Sequence, residues 1–495
     1  MISLTFEKFQ EMAEKGNLIP LSQEIPADLE TPVSAFLKIR TFKNDFLLES
    51  VVGGEKWGRF SFLGTEPRAL FKSKGHDIEI FEGHKRSHFR VSSNPLDALK
   101  EFLSRFNPVV LPDLPRFFGG AVGYLAYDMV RSFENLPQTA VDELKVFDAC
   151  FFITDTVIIF DNFRQVIIIV ANVFIDPEKS KKVLYEEGLH KIEKLVKKLQ
   201  QPLPPQQFRY LRPVEKSSQE VVLKATRTEE EFCALVEKAG EYIAAGDIFQ
   251  VVLSTRFEGK TAVPPFELYR AIRRMNPSPY LYFLQYEDLT LVGASPEVMV
   301  RLEDGKVELR PIAGTRRRGG DISEDLHLME ELKKDPKERA EHIMLVDLGR
   351  NDLGRVCEIG SVAVNELETV ELYSHVMHLV SHVSGKLKPG LDAFDVIRAA
   401  FPAGTLTGAP KIRAMEIIEE LEEKKRGIYG GCVGYISYTG NLDTAITIRT
   451  ALFKDGKIYI QAGAGIVANS VPKLEYKECR NKAEGMMAAL KSVGV

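Results

Sequence analysis

The chain has 495 residues, ample for a large core and, on length alone, for two to four structural units. Hydrophobic residues make up 44% and charged residues 27%, the balance of a globular protein, and a net charge of −5 gives no electrostatic reason to expect nucleic acid. No basic segment followed by an apolar stretch opens the sequence, so no secretory signal is expected. The longest strongly apolar run, Val166 to Ile175, is too short to cross a bilayer and carries Asn172. Five scattered cysteines, odd in number and without paired metal spacing, predict reduced thiols filling core positions in a cytoplasmic protein.

The first 200 residues or so predict strands with a few helices. Phe46–Val51 reads as an apolar strand, and Phe117–Tyr124 mixes glycine with aromatics, as strands do where backbone is closely approached. Cys150–Phe160 and Gln165–Ile175 are β-rich runs joined by a hairpin over Asp161–Arg164, and Leu184–Leu199 is a Lys- and Glu-rich helix. The Pro- and Gln-rich stretch 201–207 is the best linker candidate, dividing a region 1–205 from a region 226–495 across a linker at 206–225.

The second region opens with a capping box, Thr228 and Glu231, followed by apolar residues at helical spacing and a stop at Gly246. The strand Ile248–Leu253 follows, carrying Gln250 among apolar residues, and further strands lie near Tyr280–Gln285 and Leu289–Val292. Asp335-Pro336-Lys337-Glu338 predicts a capped helix on which Glu338 and Glu341 share a face. His375, His378 and His382 stand in an apolar stretch at helical spacing; without a nearby carboxylate they read as packing and hydrogen-bonding groups rather than zinc ligands. Thr405–Lys411 lacks the order of a phosphate-binding P-loop. Leu442–Leu452 reads as one strand carrying Arg449, whose guanidinium suits bidentate carboxylate binding.

The last sixty residues carry the chemistry. A strand at Ile458–Gln461 runs into Gly463-Ala464-Gly465, where missing side chains would let a ligand approach backbone amides. Pro472 opens a helix with Glu475, Glu478 and Lys482 on one face. Glu478 and Lys482 alone would also fit a solvated i, i+4 ion pair. A dinucleotide-binding reading of the glycines fails, because 469–472 separates them from the helix and no second strand with an acid follows. Two helices each presenting Glu-x-x-Glu, if they face each other, suit Mg²⁺, a hard cation that keeps waters for a substrate to replace.

Together, Gly293–Glu297, Pro311–Arg316, Glu341–Asp352, Gly404–Lys411 and Ala462–Ile466 make the chain resemble the chorismate-utilising enzymes, nearest to the large-subunit (component I) branch of anthranilate synthases. The resemblance implies an α+β fold, with large antiparallel sheets sandwiched between helices. It implies that Glu341 and Glu478 bind Mg²⁺ directly, with Glu338 and Glu475 in the outer shell. Glu297 would be the general acid that helps the C4 hydroxyl of chorismate leave, which needs a raised pKa. Tyr435, Arg449, Lys482 and the amides of Gly463, Ala464 and Gly465 would hold the carboxylates and side chain, with Thr315 and His378 lining the ring site and His378 assisting pyruvate loss.

Two positions choose among relatives. Isochorismate and salicylate synthases carry a water-activating lysine where this chain has Gln250, and aminodeoxychorismate synthases commonly carry a nucleophilic lysine where Ala313 stands. Both point to ammonia adding directly at C2 of the ring, with aminodeoxychorismate synthesis as the nearest alternative and a non-catalytic tryptophan-sensing subunit as a more distant one. No glutaminase nucleophile is present, so the resemblance implies a separate glutamine amidotransferase subunit, expected in a heterotetramer and not fused to this chain. Glu49, Ser50, Pro279 and Tyr280 match segments that bind L-tryptophan in feedback-inhibited members, with Leu281, a volume-conserving change, where many relatives have methionine, and with Arg59 as a carboxylate partner; ordinary core strands are the competing reading of the same residues.

Overall fold

The computed structural model describes residues 2–50, 58–203, 221–373 and 376–493. Among them the strands form two sheets of twelve, antiparallel throughout their ladders, and helices cover the outer faces. The first sheet runs from Leu18–Pro26 at one edge, through Asp45–Glu49, Tyr280–Gln285 and Leu289–Ser295, to Lys457–Ile466 and Gln250–Lys260 near the other. The second runs from Ile312–Arg317 and Val376–Lys386, through Val298–Glu303, Leu442–Ile446 and Cys432–Ser437, to Gly120–Leu125 and the hairpins beyond it. Of the proposed linker, 206–220 lies outside the described residues, and Lys224–Ala225 is a short strand against Phe257 and Glu258.

Both sheets take strands from either side of residue 205. Glu49 pairs with Leu281 in the first, and Val122 with Tyr435 in the second. The apolar run at 166–175 shows why. In Val166–Phe174, Ile168 and Val170 point into the core between the sheets. Ile167, Ile169, Ala171 and Val173 point into a second core under the helices Pro32–Ile39 and Lys181–Gln200. A period of two with apolar residues on both faces gives a continuous hydrophobic run, and each fully buried Ile or Leu contributes roughly 1.5–3 kcal/mol. Asn172 interrupts the inner face and donates from Nδ2 to the Phe118 carbonyl at 2.9 Å.

Local signals in the sequence reappear in the structure. Thr228 and Glu231 close a reciprocal capping box on the helix Glu229–Ala244, and Asp335 accepts from the amides of Lys337 and Glu338 to start Pro336–Val356. Pro472 opens Pro472–Val493, and Asp161–Arg164 forms the turn between Thr156–Asp161 and Val166–Phe174. Three expectations are corrected. Cys150–Phe160 is two strands, 149–153 in the second sheet and 156–161 in the first. Leu442–Leu452 is likewise two, Leu442–Ile446 in the second sheet and Thr450–Lys454 in the first. The histidines sit on the strand Val376–Lys386, with His375 outside the described residues; strand alternation, rather than a helix, puts His378 and His382 on one face.

Candidate active site

The site forms where two neighbouring segments pass from one sheet to the other. Pro296 and Glu297 link Leu289–Ser295 to Val298–Glu303, and Thr447–Arg449 link Leu442–Ile446 to Thr450–Lys454. The Ile446 amide donates to the Glu297 carbonyl at 3.0 Å, and the Ala294 amide to the Arg449 carbonyl at 3.1 Å, so the two crossings lie side by side. At the second crossing Arg449 adopts φ +51°, a left-handed turn rare for a non-glycine residue.

Glu297 is 8% exposed and shares a cavity with Pro311, Leu345, Leu348, Gly404, Thr405 and Ile446, among others. Burial pushes its carboxyl up to about 8, against weaker pulls downward from the Thr405 hydroxyl and Lys482. The protonated form therefore persists at neutral pH. Asp352, from the same cavity wall, pairs with Lys411 at 2.7 Å. That contact joins the motif ending at Asp352 to the one ending at Lys411, and shows the lysine serving as a structural counter-ion.

His378 and Thr315 are cross-strand partners. His378 Nδ1 lies 3.0 Å from Thr315 Oγ1 and 3.1 Å from the Gly314 carbonyl. A carbonyl only accepts, so Nδ1 carries the hydrogen and Nε2 is left with its lone pair. Burial lowers the pKa of His378 and favours this neutral form. Gly314, at φ +63° beside a bulge, also makes room for Glu338, whose Oε2 would lie 3.2 Å from a Cβ there. By contrast, His382 is held by Glu308 at 3.0 Å and Asn365 at 3.2 Å, as a packing group.

The Gly463–Gly465 segment is not a loop but the end of the strand Lys457–Ile466. Val252 N donates to the Thr407 carbonyl and Ser254 N to Glu422, so both point away from this strand. Antiparallel alternation then turns the backbone groups of their partners, Gly465 and Gly463, to the opposite, unpaired edge. Lys482 Nζ donates to the Gly463 carbonyl there at 3.0 Å and pairs with Glu478 at 2.7 Å. Lys482's own carbonyl accepts from Arg449. A side chain at 465 would collide with the Gln250 amide, 2.5 Å from the added Cβ.

Glu341 accepts from Gln250 Nε2 at 3.1 Å. Burial raises its pKa, and Glu338 and Glu478 add repulsion. Glu475 is raised by burial and by Glu478. Glu338 is paired with Arg316 at 3.0 Å. The four glutamates thus share one electrostatic neighbourhood. Among the described residues, however, no three acidic, His or Cys side chains come together closely enough to form a metal-binding group. The donor chemistry still fits a hard divalent cation: the carboxylates repel one another, and the buried Gln250 Oε1 has no partner.

Tyr435 lies elsewhere. Its ring stacks on Phe117 with centroids 4.3 Å apart, and its hydroxyl accepts from Arg116 Nε at 2.8 Å. It lines a cavity between the sheets with Glu49, Ser50, Pro279, Tyr280, Leu281 and Asp443, among others, so the structure groups it with the proposed effector residues. The tyrosine beside the glycine edge is Tyr429, whose hydroxyl would lie 2.7 Å from a Cβ on Gly463. Sequence motifs do not assign it a role; its place directly ahead of Gly430-Gly431, twenty residues before Arg449, is the one local signal. Arg59 is also elsewhere, bound to Asp161 at 2.7 Å. The guanidinium in the inter-sheet cavity is Arg116, paired with Asp443 at 3.0 Å and Glu303 at 3.2 Å. Glu49 is 5% exposed and accepts from Tyr269 and from Arg273 Nε at 3.0 Å.

Two antiparallel sheets with a buried acid, a neutral histidine, an arginine and a lysine at their crossing have the make-up of an enzyme site. The family model described as chorismate binding enzyme matches residues 46–488. Anthranilate synthase component 1 of Aquifex aeolicus is 47% identical over 491 residues, covering 99% of this chain and 98% of that protein. The protein of the same name from Acetivibrio thermocellus is 45% identical, over 99% of each. The crystal structure of anthranilate synthase component I from Streptococcus pneumoniae superposes with a TM-score of 0.78 at 37% identity, covering 94% of this chain and 99% of that one. The menaquinone-specific isochorismate synthase of Escherichia coli, 18% identical, shares the fold with a TM-score of 0.72 over 98% of this chain and 100% of its own. The chain belongs to the chorismate-binding enzyme family, in its anthranilate synthase component 1 branch. Among the described residues no helix is long and apolar enough to cross a membrane.

Proposed function

We propose that the protein is the lyase subunit of an anthranilate synthase, converting chorismate and ammonia to anthranilate and pyruvate in tryptophan biosynthesis. The observation that carries the reading is Glu297, a carboxyl kept protonated at neutral pH by burial beside the Arg449 crossing. In the first step the ammonia lone pair forms the C2–N bond and the ring double bonds shift. The C4–O bond breaks as Glu297 gives its proton to the departing hydroxyl, which leaves as water, and the new ammonium at C2 loses one proton to become the amine, which balances the one Glu297 gave up. Loss of the C2 proton then expels the enolpyruvyl oxygen from C3, and the enol takes up a proton to become pyruvate while the ring becomes aromatic. His378, neutral with Nε2 unprotonated, is suited to help that second step.

Arg449, Lys482 and the outward amides of Gly463 and Gly465 would orient the substrate carboxylates, with Tyr429 rather than Tyr435 beside them. Glu341 and Glu478 would hold Mg²⁺, with Glu338 and Glu475 supporting them; the ion supplies charge stabilisation for the ring carboxylate. Gln250 donates to Glu341 and offers no base to activate water, and Ala313 offers no nucleophile, so ammonia is the attacking group. A separate amidotransferase subunit would deliver it from glutamine. The five unbridged cysteines suit a reducing cytoplasm. The inter-sheet cavity would take L-tryptophan as feedback inhibitor, with Arg116, not Arg59, as the guanidinium within it.

The test is incubation of the purified chain with chorismate, ammonium and Mg²⁺. Anthranilate with equimolar pyruvate, lost on chelation and suppressed by L-tryptophan, is expected. An aminated product that keeps its enolpyruvyl group would overturn the assignment.

A further inference from the structure

A buried ion pair lies one strand behind the glycine edge and reaches the cleft through Tyr429 and the backbone of Val252 and Ser254. Arg426 is 2% exposed and Glu422 3%. Arg426 Nε donates to Glu422 Oε2 at 2.8 Å and Nη2 to Oε1 at 2.7 Å. Nη1 donates to the Leu406 carbonyl and Nη2 also to the Val252 carbonyl, both at 2.7 Å. Glu422 Oε1 also accepts from the Ser254 amide and hydroxyl, both at 2.8 Å. The guanidinium lies 4.8 Å from the Tyr127 ring centroid and 5.6 Å from that of Tyr429.

These contacts occupy a gap in the first sheet. On the edge of Gln250–Lys260 away from the glycine strand, Gly408–Ala409 pairs only with Gln250 and Val251, and Lys224–Ala225 only with Phe257 and Glu258. Between them the backbone of Val252 and Ser254 meets the ion pair and the Thr407 carbonyl, where a neighbouring strand would otherwise lie. Val252 and Ser254 are the cross-strand partners of Gly465 and Gly463. Two residues before Val252, Gln250 donates to Glu341. Ser254 Oγ accepts from Gln461 on the glycine strand at 2.8 Å. Every one of these points belongs to the cleft wall or its direct support.

We propose that Arg426 and Glu422 are a positioning pair for the reaction: they set the Gly463–Gly465 edge, the Gln250–Glu341 contact and the Tyr429 ring from behind, so that the surface receiving the substrate carboxylates is pre-formed. The proposal rests on the reading of the cleft as the chorismate site. Stability alone does not account for such a pair, since well-packed apolar residues of the same volume often serve as well or better. A planar guanidinium does account for it, because it alone reaches a carboxylate and two carbonyls in fixed directions.

The experiment is Arg426→Lys, which keeps the charge and removes the fork, with Glu422→Gln as the milder variant. Leu195→Ala, in the outer core under the helix 181–200, is the control for destabilisation. Circular dichroism and Tm establish folding; chorismate affinity is measured by equilibrium binding and by KM, alongside the KM for ammonium. The expected result is a folded Arg426→Lys protein whose chorismate KM and Kd rise about tenfold or more, with ammonium KM within about twofold. Glu422→Gln is expected to move chorismate KM about three- to tenfold, and Leu195→Ala to leave it unchanged. The proposal is overturned if Arg426→Lys, or Glu422→Gln where the lysine variant does not fold, binds chorismate as wild type does. It is equally overturned if Leu195→Ala raises KM as much at equal loss of Tm. Wild-type protein that neither binds nor converts chorismate would instead sink the functional reading of the cleft.

Discussion

The inter-sheet cavity and the cleft at the sheet crossing both carry acids and arginine, yet they are built on opposite principles. In the inter-sheet cavity the charges are matched: Arg116 to Asp443 and Glu303, Glu49 to Arg273 and Tyr269, and Tyr280 Oη to Asp443 at 2.8 Å. In the cleft at the sheet crossing the matching is incomplete: Glu338 meets Arg316 and Glu478 meets Lys482, but other groups are left over. Glu297 sits buried with its pKa raised to about 8, Glu341 is pushed up by burial and then by Glu338 and Glu478, and Gln250 Oε1 has no partner. Matched charges hold a shape for a ligand to fill. Mismatched charges store a difference between protonation states, which is what acid–base chemistry draws on.

If that contrast is right, the largest effect belongs to Glu297. Glu297→Gln is expected to lower kcat by about 10² to 10⁴ while leaving the fold intact, read by anthranilate fluorescence and circular dichroism. The pH profile sharpens the same point. A general acid works only when protonated, so kcat/KM should fall about tenfold per pH unit above a break near 8, and the variant should lose that break. Stability follows the same group. A carboxyl whose pKa is higher in the folded state than in the unfolded one supports folding below the unfolded value, near 4.5, and loses that support as pH rises through about 8. Glu297→Gln should therefore have a higher Tm than wild type at pH 9, and the gap should close toward pH 4.

Smaller effects probe the carboxylates and the other cavity. Glu338→Gln, which touches Arg316 and not the substrate edge, is expected to weaken Mg²⁺ activation by about 10- to 100-fold in a titration of rate against metal. An unchanged Mg²⁺ midpoint would remove Glu338 from the metal's surroundings. Tyr280→Phe breaks one bond to buried Asp443 and should raise the tryptophan concentration for half inhibition by about five- to thirtyfold, with chorismate KM held. The smallest functional effect is expected at Arg59. It is salt-bridged to Asp161, whose side chain is 1% exposed but also accepts from the amides of Phe163 and Arg164, so Arg59→Ala should cost about 1–3 kcal/mol in urea unfolding yet leave tryptophan response unchanged.

How much of this was readable in the chain depends on the range of the interaction. The capping box at Thr228, the Asp335 cap with Pro336, the hairpin at 161–164 and the shared face of Glu475, Glu478 and Lys482 were legible, because each depends on residues within one or two turns of backbone. The family motifs also located Glu297, Thr315, His378, Arg449 and the glycine pair, which the structure brings to one cleft. Where a strand leaves its sheet was not legible. Leu442–Leu452 has one unbroken β pattern, and only packing between sheets decides that it divides at Thr447–Arg449. That division puts Arg449 beside Glu297, and the strand pairing that follows it sends Tyr435 into the other cavity and leaves Tyr429 at the glycine edge. Arg59 and Arg116 are equally plausible by residue type, and the choice fell to which one Asp161 captures and which one faces Asp443, across 102 and 327 residues of sequence respectively. The sequence by itself determined the chemistry of the side chains and the local elements that carry them. The tertiary structure decided which charges would find partners and which would stay buried without one, because that balance is set by contacts whose ends lie hundreds of residues apart.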